Sequence, residues 1–373
     1  MAHGPLRHRA DDVGAGLARF VLDVFFRDVE VIGKERAPRG VPLLVIANHV
    51  NNLIDPMLVM GYTGVRPRFL AKSTLFKHPL VAPALLLLGA LPVYRRKDGA
   101  PVSRNIETFT RCRVALAEGA TIAIFPEGYS HNEPGSVPLK TGAARIALEA
   151  GAHGAPGLRV LPVGLVYEDK EHFRSRVLVQ VGEPIDPAPD QAVYARAPRE
   201  AVKSLTARIA AGLSSVTAPF ASWEEARLID RAVDLAVEGD PATLPLSQRW
   251  SLWRSFIARY AEIEKADPER AQRLVEALRR YDEPATFKVM GALLFFPVWW
   301  ALEAGVARVL GGPWAALAVA VAAPAAGLVS LRIHDRQRRR PLAVGTRFAE
   351  RAALRDSRAA LRRQIRDVVG GRP

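Results

Sequence analysis

The stretch Leu43-Leu-Val-Ile-Ala-Asn-His-Val-Asn-Asn-Leu-Ile-Asp-Pro56 decides the fold and points to the chemistry. Leu43 to Ala47 are apolar without alternation, the pattern of a strand buried on both faces. The run stops at Asn48-His49, so an imidazole is released into a polar loop at the strand's end. Asp55 lies six residues after the histidine, held before Pro56. A carboxylate there can fold back on the ring, accept the Nδ1 proton and leave Nε2 free to take a proton from a hydroxyl. A loop histidine is also often only a solvated or capping side chain, so the pair alone leaves both readings open.

Short apolar runs and helical patterns alternate from Leu43 to about Gly182. Strands are predicted at Leu43–Ala47, Arg68–Ala71, Pro92–Tyr94, Thr121–Phe125, Arg159–Val166 and Val177–Val181. Helical patterns fall at Met57–Tyr62, Pro79–Leu88, Ser103–Glu118 and Gly142–Ala150. The alternation predicts an α/β fold, a central and mostly parallel sheet flanked by helices. Functional groups in such sheets gather where strands end. Asn48-His49, Lys72, Arg95 and Glu127 all fall at predicted strand ends.

Outside this region the character changes. In Val13 to Val31, Val13, Leu17, Phe20, Val21, Val24 and Phe25 have helical spacing. Residues 1–32 therefore read as an N-terminal helix, either interfacial, with its aromatic face at headgroup level, or packed on the domain that spans 33–190. From Gln191 the chain is charged and helical, a helical appendage over 191–285 with no chemistry of its own. Val289–Ala307 and Trp314–Leu331 are apolar, separated by Arg308 and Gly311-Gly-Pro313. They predict a hydrophobic helical hairpin over 286–335, transmembrane or re-entrant, with a buried hairpin as the alternative. Arg279, Arg280 and Lys288 precede it and Arg332, Arg336 and Arg338-Arg-Arg340 follow. Basic flanks on both sides place both ends at the cytoplasmic face of the cell membrane. Residues 336–373 form a basic amphipathic tail suited to an anionic membrane surface.

Composition narrows the partners. A hydrophobic content of 49% over 373 residues excludes a disordered chain. The lone cysteine, Cys112, excludes a disulfide framework and cysteine-based metal sites, and fits a helix core. The net charge of +14 points to a polyanion or an anionic membrane surface. Nucleic acid is disfavoured, because zinc-finger spacing, an RNP-like aromatic pattern and a helix-turn-helix signal are all missing. Met1 to Asp12 is polar and lacks the apolar region of a secretory signal.

Three further stretches carry candidate chemistry. In Thr121-Ile-Ala-Ile-Phe-Pro-Glu-Gly-Tyr-Ser-His131, Pro126 breaks an apolar run and Glu127-Gly128 form a tight turn. A carboxylate there can bind a substrate hydroxyl or hold neighbouring backbone. Pro138-Leu-Lys-Thr-Gly-Ala-Ala-Arg145 sets Lys140 and Thr141 at a helix start, a reasonable anion site. Gly89-Ala-Leu-Pro-Val-Tyr-Arg-Arg96 places Arg95 and Arg96 just after a strand, and arginine suits bidentate phosphate recognition. With Lys72, these strand-end cations beside a His/Asp pair suggest a phosphate-bearing substrate.

His49…Asp55-Pro56, Gly89…Pro92-Val93-Tyr94-Arg95, Phe125-Pro126-Glu127-Gly128…Ser130 and Leu161-Pro162-Val163-Gly164 occur in that order. They resemble the four motifs of the glycerolipid acyltransferase family, over about residues 25–190. Pro138 to Leu148 and Phe173 to Ile185 also look typical of its bacterial members. The resemblance implies that His49 deprotonates the acceptor hydroxyl for attack on an acyl thioester, with Asp55 orienting the ring. It implies that Arg95 contacts the acceptor phosphate, and that Glu127, Gly128 and Ser130 belong to a motif binding the glycerol backbone and phosphate. Pro162 and Gly164 fall in a motif associated with the acyl donor. Acyl-CoA or acyl-carrier protein is the implied co-substrate, membrane lipids are the implied partners, and transfer is direct, with neither metal nor bound cofactor.

Two departures stand out. Five residues separate His49 from Asp55 where the common family pattern has four, as in a subgroup that includes fungal-type glycerol-3-phosphate/dihydroxyacetone-phosphate acyltransferases, which also carry an asparagine corresponding to Asn51. Tyr129 and Ser130 follow Gly128 without the arginine common in that motif, which shifts the phosphate role toward Arg95, Lys140 and Lys72. The expected function is acylation of glycerol 3-phosphate or 1-acylglycerol 3-phosphate in phospholipid biosynthesis. Dihydroxyacetone phosphate or another lysophospholipid is an alternative acceptor, and a non-catalytic lipid-binding membrane protein of the same fold is an alternative class.

Overall fold

The six apolar runs and one further segment, Asp28–Ile32, become the strands of one sheet. The computed structural model describes residues 5–79, 81–94, 105–237, 241–280, 360–365 and 368. The strands are β1 (Asp28–Ile32), β2 (Leu43–Ala47), β3 (Arg68–Lys72), β4 (Leu91–Val93), β5 (Thr121–Ile124), β6 (Arg159–Tyr167) and β7 (Arg176–Val181). They lie in the order β1-β7-β6-β2-β5-β3-β4, and every pairing is parallel except β6 with β7. A mostly parallel α/β sheet is thus present, as expected.

Among the described residues, two helices pack on one face and three on the other. α1 (Pro5–Phe25) and α2 (Ile54–Tyr62) bury Leu22, Leu58 and Val59 against Val45, Ala47, Ala123, Leu161, Val163 and Val179. On the opposite face α4 (Asn105–Ala117), α5 (Gly142–Ala152) and α7 (Pro198–Ser214) bury Cys112, Leu116, Ile146, Leu148, Leu205 and Ile209 against Leu44, Ile46, Ile122 and Val160. Odd and even residues of β2 go to opposite cores, which is why its sequence is apolar without a break. Further helices among the described residues include α3 (Ala82–Leu87), α6 (Ala188–Tyr194), α8 (Trp223–Ala236), α9 (Leu246–Ala266) and α10 (Pro268–Arg280).

The helical reading of Val13 to Val31 needs correction. The helix ends at Phe25, and Asp28–Ile32 is a strand paired in parallel with β7. Its Val29 and Val31 pack on the α1/α2 core. Asp28-Val-Glu-Val-Ile32 alternates with period two, and pairing with the sheet outweighs the helical spacing. The Arg174 guanidinium marks the same boundary, bonding the carbonyl oxygens of Asp23 at 3.0 Å and Phe26 at 2.8 Å.

The chain divides into two units, Met1–Arg227 with Pro245–Ser251, and Leu228–Leu244 with Leu252–Pro373. The first contains the sheet. In the second, Trp253 donates to Asp230 Oδ1 at 3.0 Å and Arg362 to the Leu235 carbonyl at 2.9 Å. The hairpin expected over 286–335 lies outside the described residues, as does most of the tail expected over 336–373. Among the described residues, no helix is long and apolar enough to cross a membrane.

Pro162 and Gly164 sit in β6 on the α7 side. Pro162 pairs with Ile46 across the sheet, and a Cβ on Gly164 would overlap the carbonyl oxygen of Val216, just past the end of α7. That oxygen also accepts from the buried Gln180 amide at 3.0 Å. Gly164→Ala must push the Val216 backbone off the sheet, at an overpacking cost of about 1–3 kcal/mol. Urea denaturation should show the midpoint falling with an unchanged slope; an unchanged midpoint would mean that this contact is not tight.

Candidate active site

Parallel strands bring their C-terminal ends to one edge of the sheet, so the loops after β2, β5 and β3 open on the same side. The loop after β2 is anchored first. Asn48 is buried at the end of the strand, and its side-chain amide donates to the Leu165 carbonyl at 2.9 Å and accepts from the Leu165 N–H at 2.8 Å. It extends the β2/β6 ladder by one further pair. The backbone of His49 thus leaves a fixed point.

The His49 ring is held on two sides. Its Nδ1 lies 2.8 Å from Asp55 Oδ2, and the ring stacks on Phe125 with centroids 4.2 Å apart. Phe125 in turn stacks on Phe69 of β3. With Nδ1 on the carboxylate, the proton sits on Nδ1 in the neutral ring and Nε2 presents a lone pair. Nε2 has no hydrogen bond among the described residues, and the side chain is 12% exposed. This is the geometry of a base open to an incoming hydroxyl.

Asp55 is the most enclosed member. It has no exposed surface, and it accepts from His49, from the Asn51 N–H at 2.7 Å and from the Tyr167 hydroxyl at the end of β6. It also lies in the first turn of α2, where the helix dipole favours a negative charge. Burial, with the Asp55 carboxylate beside it, holds the Tyr167 phenol protonated well above its ordinary range. Tyr167 therefore remains a hydrogen donor to Asp55.

The turn after β5 closes the other side. Glu127 is buried, and its Oε2 accepts the His49 backbone N–H at 2.6 Å. Burial pushes the Glu127 carboxyl up to about 7; the His49 N–H opposes this shift and the Asp55 charge adds to it. His131 Nε2 lies 3.0 Å from the same oxygen, off the line of a hydrogen bond. His131 Nδ1 accepts from the Glu133 N–H at 3.1 Å, so its proton is on Nε2, facing Glu127. Burial lowers the His131 pKa and keeps this ring neutral.

Gly128 has a φ of 78°, and a Cβ there would collide with the side chain of Lys140. The glycine therefore lets Lys140 cross the turn. The Lys140 N–H bonds the Pro126 carbonyl at 2.8 Å just before α5. Ser130 Oγ accepts the Asn52 N–H at 3.3 Å, tying the two loops together.

The structure thus brings His49, Asp55, Glu127, Gly128, Lys140 and Ser130 to one place. Lys72 ends β3 on the same edge, across β5 from His49. Arg95 lies outside the described residues. Pro162 and Gly164 lie within the sheet, below the loops. Sequence reasoning noted Asn48 only as a strand end and missed Tyr167, His131 and Lys170. Only their position at strand ends or beside a motif offered a signal, since their partners are distant in the chain.

The buried carboxyl of Glu127 has a measurable consequence for stability. Its folded pKa of about 7 lies above the ordinary 4.5, so both states are protonated in acid. Between those values the unfolded chain loses its proton first, and stability falls as pH rises. Glu127→Gln keeps an oxygen acceptor for His49 and removes the titration. The stability of the variant relative to native should rise by on the order of 3 kcal/mol from below the ordinary value to above the folded one. Urea melts across this range test it, and parallel curves for the two proteins would refute it.

The chain is similar to several known proteins. Residues 28–166 match the acyltransferase family model. Glycerol-3-phosphate O-acyltransferase 1 of Saccharomyces cerevisiae is 32% identical over 359 residues, covering 71% of this chain and 47% of the yeast protein. The 1-acyl-sn-glycerol-3-phosphate acyltransferase of Borreliella burgdorferi is 28% identical over 153 residues, covering 41% of this chain and 56% of that one. The crystal structure of the 1-acyl-sn-glycerophosphate acyltransferase PlsC from Thermotoga maritima is similar with a TM-score of 0.41 and 24% identity, covering 54% of this chain and 82% of that one. The chain spans about half the length of the first curated relatives it matches. Over residues 28–166, the chain thus resembles the acyltransferases that act on glycerol 3-phosphate and its 1-acyl form.

Proposed function

We propose that the protein transfers a fatty acyl chain from acyl-CoA or acyl-carrier protein to the hydroxyl of glycerol 3-phosphate or 1-acylglycerol 3-phosphate. The observation that carries this reading is the His49 Nδ1–Asp55 Oδ2 contact of 2.8 Å, with Nε2 free at the edge of the sheet. The Nε2 lone pair takes the proton of the acceptor hydroxyl as its oxygen attacks the thioester carbonyl. The C–O bond forms, the C–S bond breaks, and the imidazolium returns its proton to the departing thiolate. Asp55 fixes the tautomer and stabilises the imidazolium during this step.

Glu127 holds the backbone that carries His49. Lys140 over Gly128, and Lys72 across β5, supply cations for the acceptor phosphate. The relatives support both acceptors: the yeast protein's name gives glycerol 3-phosphate, and the Borreliella protein's gives its 1-acyl form. The longer His49–Asp55 loop, seen in the sequence, favours the small acceptor or its keto analogue, dihydroxyacetone phosphate.

We further assign the substrate's source to a membrane surface. On α1, Ala15, Ala18 and Leu22 are buried toward the sheet, while Val13, Leu17, Phe20, Val21 and Val24 form an exposed apolar stripe. Leu17 and Phe20 are 63% and 67% exposed. An apolar stripe on a surface helix of a strongly basic chain suits insertion at an anionic lipid interface.

His49→Ala should lower kcat about a thousand-fold, within the range of general-base catalysis, and Asp55→Ala should lower it less. Acyl transfer from a long-chain acyl-CoA to each acceptor tests both, and full activity in His49→Ala would overturn the mechanism. Leu17→Ser with Phe20→Ser should weaken sedimentation with phosphatidylglycerol-containing vesicles about tenfold or more, by loss of apolar burial. Equal binding by the variant and native proteins would remove α1 from the interface.

A further inference from the structure

The loop that carries His49 is fastened at every residue up to Asn52, and one side chain outside the family motifs completes that fastening. His49 donates its N–H to Glu127 and accepts from the His131 N–H at 3.0 Å. Asn51 donates its N–H to Asp55, and Asn52 donates its own to Ser130. The Val50 carbonyl accepts from Lys170 Nζ at 2.9 Å. The same ammonium donates to the His131 carbonyl at 3.3 Å. In return the Lys170 carbonyl accepts from the Asn51 side-chain amide at 3.4 Å.

Lys170 stands in the loop between β6 and β7, three residues after Tyr167. The end of β6 and the loop after it therefore brace the site twice, through the Tyr167 hydroxyl on Asp55 and through Lys170 on the carbonyls of Val50 and His131. An ammonium group shared by two carbonyls of different loops is a charge-assisted bridge, stronger than a neutral one. Without it the two loops are joined, among the described residues, by three hydrogen bonds to neutral or backbone groups and to Glu127: His49 N–H on Glu127, His131 N–H on the His49 carbonyl and Asn52 N–H on Ser130.

We propose that Lys170 is a positioning residue for acyl transfer, its ammonium group bolting the His49 loop to the Glu127 turn. The proposal rests on the reading of His49 as the general base. The lysine acts through the loop, by holding His49 where an acceptor hydroxyl meets Nε2. A displacement of the ring by an ångström costs as much as a hundred-fold in rate.

The test compares the full-length native protein with Lys170→Met, Lys170→Arg and His49→Ala. Two readouts are taken: steady-state acyl transfer from a long-chain acyl-CoA to glycerol 3-phosphate, and amide hydrogen exchange. Lys170→Met should lower kcat about 10- to 100-fold with KM within about twofold, the signature of lost positioning. Lys170→Arg, which keeps charged donors, should restore kcat to within about fivefold of native. Exchange in Lys170→Met should speed up at His49, Asn51 and Asn52 and stay unchanged at Leu44 to Ile46 of β2.

Native kcat in Lys170→Met, or equal losses in the Met and Arg variants, would overturn the proposal, as would unchanged exchange in the loop. Should Lys170→Met lose its cooperative melting transition, Lys170→Gln replaces it, with faster loop exchange and a kcat below that of Lys170→Arg expected. A Gln variant matching native in both readouts would also overturn it. Failure of the base reading shows separately, as activity retained in His49→Ala, and leaves the exchange result on the bolt intact.

Discussion

A carboxylate with no exposed surface organises this end of the molecule. An ionised Asp55 stripped of water is costly unless donors surround it. The donors come from three places: the His49 ring after β2, the Asn51 backbone in the loop, and the Tyr167 hydroxyl at the end of β6. The α2 dipole adds a fourth favourable contribution. None of these groups can move far without stranding the charge. The requirement to satisfy Asp55 thus fixes the tautomer of His49, the turn of the loop and the reach of β6 together.

The sheet prepares that arrangement one layer below. Asn48 continues the β2/β6 ladder with its side chain, and Asn105 does the same beyond β4 by bonding the Tyr94 N–H at 2.9 Å and carbonyl at 2.8 Å. In both places an amide side chain substitutes for a strand residue where the chain must leave the sheet. The strand ends become rigid launch points. The aromatic stack of His49, Phe125 and Phe69 then spans β2, β5 and β3, neighbours in the sheet. Ring planes are set by the same parallel order that gathers the loops.

What could be read from the sequence follows from how local each cause is. Strands buried on both faces announce themselves as unbroken apolar runs, and Leu43–Ala47 forms with the bounds its residues suggest. The His49–Asp55 contact was legible because its partners are six residues apart. Glu127 and Gly128 were legible as a turn, but the binding of the His49 N–H by Glu127 was not, since it joins two strands. Tyr167 and Lys170 look like the ordinary end of a strand until β6 is set beside β2. Asp28–Ile32 was misread because the helical spacing of Val13 to Phe25 was carried on to Val31, past the alternation of Val29 and Val31 that pairing with β7 uses. The motif around Pro162 and Gly164 was legible as a pattern, whereas its close packing on Val216 depends on α7 and the chain just beyond it.

The five-residue spacing between His49 and Asp55 acquires a physical meaning in this setting. A longer loop closes at only slightly greater entropic cost, so the extra residue is tolerable, but it adds backbone groups that need partners. Asn51 resolves most of that demand. Its N–H goes to Asp55, its carbonyl accepts from the Ile54 and Asp55 N–H groups to start α2, and its amide reaches the Lys170 carbonyl. The Lys170 ammonium then covers the Val50 carbonyl. The lengthened loop is therefore a turn centred on Asn51 and braced from β6–β7, which returns Asp55 to the imidazole despite the added residue. The spacing and the brace depend on each other: without Lys170 the Val50 carbonyl loses its partner in the protein, and without Asn51 the start of α2 drifts from the ring it must hold.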